Sequence, residues 1–90
     1  MNIRINDYFE LAEKKYITLD VYEYENNKYI FVNELDDEEE PKQNFKVFRC
    51  MEQGLVEEKR EEVLKEVLKI FEKNFNDKIR EYVNATELED

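Results

Sequence analysis

The chain contains no histidine, serine or tryptophan, and it has a single cysteine, a single glycine and a single proline. A Ser-His-Asp triad cannot form without the first two residue types, and Cys50 has no imidazole to activate it. Cysteine/histidine zinc sites and glycine-rich phosphate loops are excluded by the same composition. We therefore expect no catalytic residues, no cofactor and no metal site, and we predict that the protein is not an enzyme. Catalysis by paired carboxylates is a separate hypothesis, which requires a desolvated Glu or Asp with a raised pKa.

Glycine and proline are the residues that most often interrupt helices and strands, so their scarcity favours regular secondary structure. With 90 residues, 41% of them hydrophobic, the chain is expected to form a single domain over residues 1–90. One cysteine cannot form an intrachain disulfide, so a reducing compartment is the natural setting. The N-terminus has no apolar signal segment, and no apolar run is long enough to span a membrane. We expect the cytoplasm of a bacterium, or the host cytoplasm if a phage encodes the protein.

The charge is one-sided: 24 acidic residues oppose 14 basic ones, for a formal net charge of −10. Phosphate backbones and anionic lipid surfaces carry the same sign, so we expect neither direct binding to nucleic acid nor adsorption to a membrane. A basic protein surface is the partner that this charge favours.

Residues 6–15 are predicted to form a short N-terminal helix. Asp7 and Glu10 have the spacing of a capping box. Phe9, Ala12 and Tyr16 follow Ile5 at helical intervals, which places all four on one face.

Residues 16–52 are predicted to form a three-stranded antiparallel meander. Strands are expected at 16–25, 28–35 and 45–52, because apolar and polar residues alternate there. A two-residue turn at Asn26-Asn27 would place Tyr24 opposite Tyr29 and Tyr22 opposite Phe31.

A long amphipathic helix is predicted over residues 56–83, followed by a tail at 84–90. Its apolar residues recur at steps of three and four, from Val63 to Tyr82. The segment 74–77 either continues this helix or ends it and caps a second one. The predicted fold class is therefore α+β, with the short N-terminal helix and the long C-terminal helix packed on the sheet.

Both faces of the predicted sheet carry apolar residues, and one long helix can cover only one of them. Ile17, Leu19 and Val21 are expected on one face. Either the N-terminal helix covers the aromatic face, or that face binds a partner or a second copy of the chain. The aromatic residues concerned are Tyr22, Tyr24, Tyr29 and Phe31.

The stretch Glu34–Glu40 carries six acidic residues and no basic one, so it holds −6 of the net −10. It lies in a predicted loop at 34–44. Its spacing matches no calcium-binding loop, so weak, non-specific cation binding is all that it predicts. Either it is a solvated connection, or it imitates the serial charge of a nucleic-acid backbone and binds a basic groove. The candidate binding residues are Glu34, Asp36, Asp37, Glu38, Glu39 and Glu40.

Residues 28–49 resemble the small, acidic YrzB-like family of unknown function from low-GC bacteria. The resemblance rests on an aromatic-aliphatic strand with Tyr29 and Phe31, on the acid-rich loop Asp36–Glu40, and on a second strand that ends in Arg49. It implies a strand–loop–strand unit and no catalytic activity. The predicted N-terminal and C-terminal helices depart from the family pattern.

In size, charge and composition the chain is also similar to small acidic phage proteins that block nucleases, including anti-CRISPR proteins. Our leading hypothesis is therefore an interaction protein that blocks a basic, nucleic-acid-facing surface of a partner such as a nuclease. The alternative is a YrzB-like housekeeping module, as a homodimer through its aromatic face.

Overall fold

The computed structural model describes the backbone of residues 2–87 and the side chains of residues 2–77. The described chain forms one five-stranded antiparallel sheet, in which the strands lie in sequence order, and one C-terminal helix. The elements are β1 (Tyr8–Leu11), β2 (Lys14–Tyr24), β3 (Asn27–Leu35), β4 (Pro41–Met51), β5 (Gly54–Glu57) and α1 (Glu61–Glu87). The fold is α+β, but the prediction of three strands and an N-terminal helix is wrong.

The predicted N-terminal helix at 6–15 is instead a hairpin of β1 and β2. Its two-residue turn, Ala12-Glu13, has φ values of 51° and 66°, which is the left-handed region that such hairpin turns require. Phe9 lies directly opposite Tyr16, and their rings stack with centroids 5.3 Å apart. The spacing of apolar residues that predicted a helix is therefore also compatible with two paired strands.

The second hairpin turns one residue earlier than predicted, at Glu25-Asn26, where φ is 50° and 66°. Tyr24 therefore faces Asn27, and Tyr22 faces Tyr29 rather than Phe31. The prediction missed β5 as well, because a strand of four residues carries almost no periodic signal.

A bulge between Thr18 and Asp20 reverses the alternation along β2. Before the bulge, Tyr16 packs in a cluster with Ile30 and Val32; after it, Val21 joins that cluster. Ile17 and Val21 were predicted to share a face, and the extra residue separates them.

The two faces of the sheet are covered by different parts of the chain. On one face, α1 packs Val63, Val67 and Phe71 against Tyr29 and Val47. The helix is continuous through residues 74–77, and the predicted tail at 84–90 begins inside it; residues 88–90 lie outside the described residues.

The other face is covered by the sheet itself, which curls. The rings of Phe9 on β1 and Phe48 on β4 lie 6.1 Å apart. In a flat sheet, strands three positions apart would be separated by about 14 Å. The face that holds Tyr16, Ile30, Val32 and Phe48 is therefore concave. Within the described residues, no helix is both long and apolar enough to span a membrane.

A polar contact fixes α1 on the sheet. The side-chain amide of Asn74 donates to Asp20 Oδ2 at 2.8 Å, and Asp20 Oδ1 accepts from the Val21 amide. Asp20 is buried, so both of its oxygens need such donors.

We predict that Phe71→Ala lowers the free energy of unfolding by about 3–5 kcal/mol, because it opens a cavity under the helix. Phe71 is 1% exposed, whereas Phe75, one turn further along the helix, is 46% exposed. Phe75→Ala is therefore the matched control and should leave stability nearly unchanged. Urea denaturation followed by circular dichroism measures both; equal losses would contradict this packing.

Candidate interaction surface at the acidic hairpin

The turn between β3 and β4 is fixed by the side chain and the backbone of Asp36. Its Oδ1 accepts from the amides of Glu38 and Glu40, at 2.8 and 2.9 Å. The Asp36 amide donates to the Glu40 carbonyl, and the Glu39 amide donates to the Asp36 carbonyl. Glu39 takes a left-handed conformation, with φ of 64°. Asp36 was predicted to bind a partner, but its carboxylate is used to build the turn.

Glu34, the first residue of the predicted acidic site, lies inside the fold. It is 5% exposed, and it sits where the register between β3 and β4 shifts. Its carboxylate accepts from Lys42 Nζ and Asn44 Nδ2, both at 2.8 Å, and Lys14 Nζ lies 3.9 Å away. The hydrogen bond from Lys42 lowers the pKa of Glu34, against the opposing effect of burial. Glu34 therefore ties the base of the hairpin together.

Glu39 has a weak partner, since its Oε1 lies 3.9 Å from Lys15 Nζ and both side chains are largely exposed. Such a pair contributes little energy. Asp37, Glu38 and Glu40 are exposed, and they form no ion pair in the part of the chain that the structure describes. We call these three residues the acidic tip.

The acidic tip is a smaller site than the six-residue run that the sequence suggested. Lys14, Lys15 and Lys42 form ion pairs with Glu34 and Glu39 at its base. Of the exposed acidic residues in this run, only those of the tip form no ion pair with a described residue. Among the described side chains, no group of three or more metal-ligating residues is arranged to hold a metal ion. What the tip offers chemically is three carboxylates on a hydrogen-bonded turn, directed to solvent.

The aromatic residues that the sequence proposed as a second site lie under α1. Tyr29 is 1% exposed, and Tyr22 and Phe31 meet the Phe71 ring at 6.3 and 5.4 Å. Tyr24 packs against the same cluster. The helix, rather than a partner, covers this face.

An apolar groove beside α1 was missed by the sequence reasoning. It has a volume of about 280 Å³ and is lined by Phe31, Phe45, Leu68, Glu72 and Phe75. Phe45, Leu68 and Phe75 are 47%, 38% and 46% exposed. The sequence does contain an indication of this groove, because the apolar stripe of α1 is wider than the part of it that is buried on the sheet. For Phe45, the sequence predicted only a position in a strand.

Among the described side chains, two carboxyl groups have shifted pKa values, and both shift downward. Glu58 is buried just before α1 and accepts hydrogen bonds from Arg60 Nη2 at 2.8 Å and from the backbone amides of Lys59 and Arg60. These contacts lower its pKa to about 2. Arg60 also donates to the Tyr29 hydroxyl at 3.4 Å. This cluster anchors the start of the helix.

Comparisons of the chain with family models, with curated proteins and with solved structures found no match. The resemblance to the YrzB-like family therefore stays a prediction from residues 28–49.

We predict that Glu58→Gln lowers the free energy of unfolding by about 2 kcal/mol at pH 7, since a buried charged acceptor is lost. The folded-state pKa of about 2 lies below the ordinary value of 4.5. The charged carboxylate therefore stabilises the fold fully above pH 4.5, and this contribution is lost as the pH falls toward 2.

Chemical denaturation of both proteins between pH 7 and pH 3 measures this effect. The difference in stability should shrink across that range. Glu52→Gln, at an exposed position, is the control and should match the wild type throughout. A wild-type advantage that does not change with pH would contradict the assignment.

Proposed function

We propose that the chain is a non-enzymatic interaction protein whose acidic tip binds a basic, nucleic-acid-facing surface of a protein partner. The observation that carries the proposal is the Asp36-bonded turn, which holds the carboxylates of Asp37, Glu38 and Glu40 outward, with no ion pair to any described residue. A nuclease or another nucleic-acid-binding protein in the bacterial cytoplasm has such a surface. Occupying that surface would inhibit it, as a phage anti-defence or anti-CRISPR protein does.

The charge density of the tip supports this proposal. A nucleic-acid strand carries one negative charge on every nucleotide. Three exposed carboxylates within four residues likewise form a dense cluster of negative charge. A turn that is already ordered also loses less conformational entropy on binding than a flexible loop.

The alternative function, a housekeeping module that dimerises through its aromatic face, has less support. Tyr22, Tyr24, Tyr29 and Phe31 contact α1 or its cluster. A dimer through these residues would first require the helix to leave, with the loss of the packing around Phe71.

The first test compares two variants of equal charge. Asp37→Asn/Glu38→Gln/Glu40→Gln neutralises the tip, and Glu61→Gln/Glu62→Gln/Glu66→Gln removes the same charge from exposed positions of α1. Tagged proteins are used to capture partners from nuclease-treated bacterial lysate, which are eluted with a salt gradient and identified by mass spectrometry.

We expect the wild type and the α1 variant to retain a nucleic-acid-binding protein that added DNA or RNA displaces. The tip variant should release it at lower salt, because it has lost the local charges. If both variants lose the partner equally, net charge alone drives capture. If neither loses it, the tip is not the binding site.

A second test separates the order of the turn from its charge. Asp36→Asn keeps an oxygen that can accept from the amides of Glu38 and Glu40, whereas Asp36→Ala removes it; both lose one charge. We expect Asp36→Ala to weaken binding of the captured partner about three- to tenfold relative to Asp36→Asn, because the tip must then be ordered on binding. Titration calorimetry measures both affinities, and equal values would show that the turn's order is irrelevant.

A further inference from the structure

The outer edge of β4 is paired along only part of its length. β5 lies beside Phe48–Met51, and the Glu58 amide donates to the Val47 carbonyl at 2.8 Å. On this outer side of β4, no strand lies beside residues 41–46 in the described part of the chain, whereas β3 pairs with them on the inner side. An unpaired strand edge can accept another strand through backbone hydrogen bonds.

This open edge connects the acidic tip to the apolar groove. Glu40 directly precedes β4, and Phe45 lies five residues further on, which is about 17 Å along a strand. The Phe45 ring stacks on Phe31 with centroids 5.5 Å apart and an angle of 5° between the planes. Phe31 in turn stacks on Phe71, so the exposed ring is held in position from beneath.

The groove combines apolar walls with one charged residue. Leu68 and Phe75 of α1 face Phe45 across it, and Glu72 is its only charged lining residue among those described. A large apolar side chain with a cation beside it would satisfy both features. The acidic tip, at the other end of the same edge, would also favour cations.

We infer that residues 41–46 accept an extended segment of the basic partner, which adds as a sixth strand to the sheet. One large apolar side chain of that segment enters the groove, and its basic residues lie against the acidic tip. The inference rests on the proposed function and specifies the partner: a β-strand that carries an aromatic or aliphatic anchor followed by basic residues. Main-chain pairing supplies the register, and the groove supplies the selectivity.

The lysines on β4 do not oppose such a partner. Lys42 donates to Glu34 at 2.8 Å. Lys46 lies 3.7 Å from Glu57 and 5.9 Å from the centre of the Tyr16 ring. Both charges are thus compensated within the chain.

A second copy of the chain fits the edge less well than a basic strand. Each copy has a net charge of −10, so two copies would repel each other.

The test uses a fluorescein-labelled synthetic peptide, TVTFTVKRK, as the probe, with binding to the full chain followed by fluorescence anisotropy. Three protein variants separate the features: Phe45→Ala and Leu68→Ala for the groove, and the tip variant for the charges. Phe45 and Leu68 are partly exposed, and circular dichroism melts verify that the variants fold.

We expect each groove variant to weaken probe binding about tenfold, the effect of losing roughly 1.4 kcal/mol of apolar contact. The tip variant should weaken binding and flatten its dependence on salt. Peptides with N-methyl groups on alternate backbone amides test the edge. One methylated set should lose binding and the other should keep it, because only alternate amides of a strand face its neighbour.

The outcomes distinguish the inference from the proposed function. If the tip variant alone weakens binding, the groove and edge are not used and the inference is overturned, while the proposed function stands. If the groove variants weaken binding and the tip variant does not, both for the probe and for partners captured from lysate, the proposed function and the inference both fail. Absence of probe binding at about 1 mM, the weak limit of specific affinity, also overturns it. So does a dimer in analytical ultracentrifugation that Phe45→Ala dissociates, since a second copy would then occupy the edge.

Discussion

Burial of β3 on both of its faces is the constraint on which the rest of the structure depends. Tyr29 and Ile30 are successive residues of this strand, they point to opposite faces, and they are 1% and 0% exposed. Each face therefore needs a cover, and the described chain has one helix to offer. The helix covers the side of Tyr29, and the sheet covers the side of Ile30 by curling until β1 approaches β4. The bulge in β2 serves this curl, because an extra residue bends a strand and changes which face its later residues take.

Three buried carboxylates are placed where elements must be held together. Asp20 accepts from Asn74 and fixes α1 against β2. Glu58 accepts from Arg60 and fixes the start of the helix, and Glu34 accepts from Lys42 and fixes the base of the acidic hairpin. A buried carboxylate without such donors would cost several kcal/mol. These three contacts therefore favour one arrangement of helix and hairpin over alternatives with the same apolar packing.

The surface features follow from the same construction. A short β5 leaves half of the β4 edge open, and a helical stripe wider than the sheet leaves Leu68 and Phe75 beside Phe45. The hairpin that carries the acidic tip is tied down at its base by Glu34 and closed at its end by Asp36. Charge, edge and groove thus lie along one strand, within a short distance of one another.

Periodicity and composition were enough to predict the α+β class, the long amphipathic helix, strands near β2, β3 and β4, and the position of the acidic run. The prediction of a helix over residues 6–15 was wrong, because the spacing of Phe9 and Tyr16 fits a helix and a hairpin equally well. In addition, Ala12-Glu13 is an unusual pair for a left-handed turn. Periodicity and composition also could not distinguish the buried Glu34 from the exposed acidic tip. The contacts of Glu34 to Lys42 and Lys14 exist only after the strands pair. Register, curl and groove were decided by the tertiary structure, since they depend on which distant side chains share the limited buried volume.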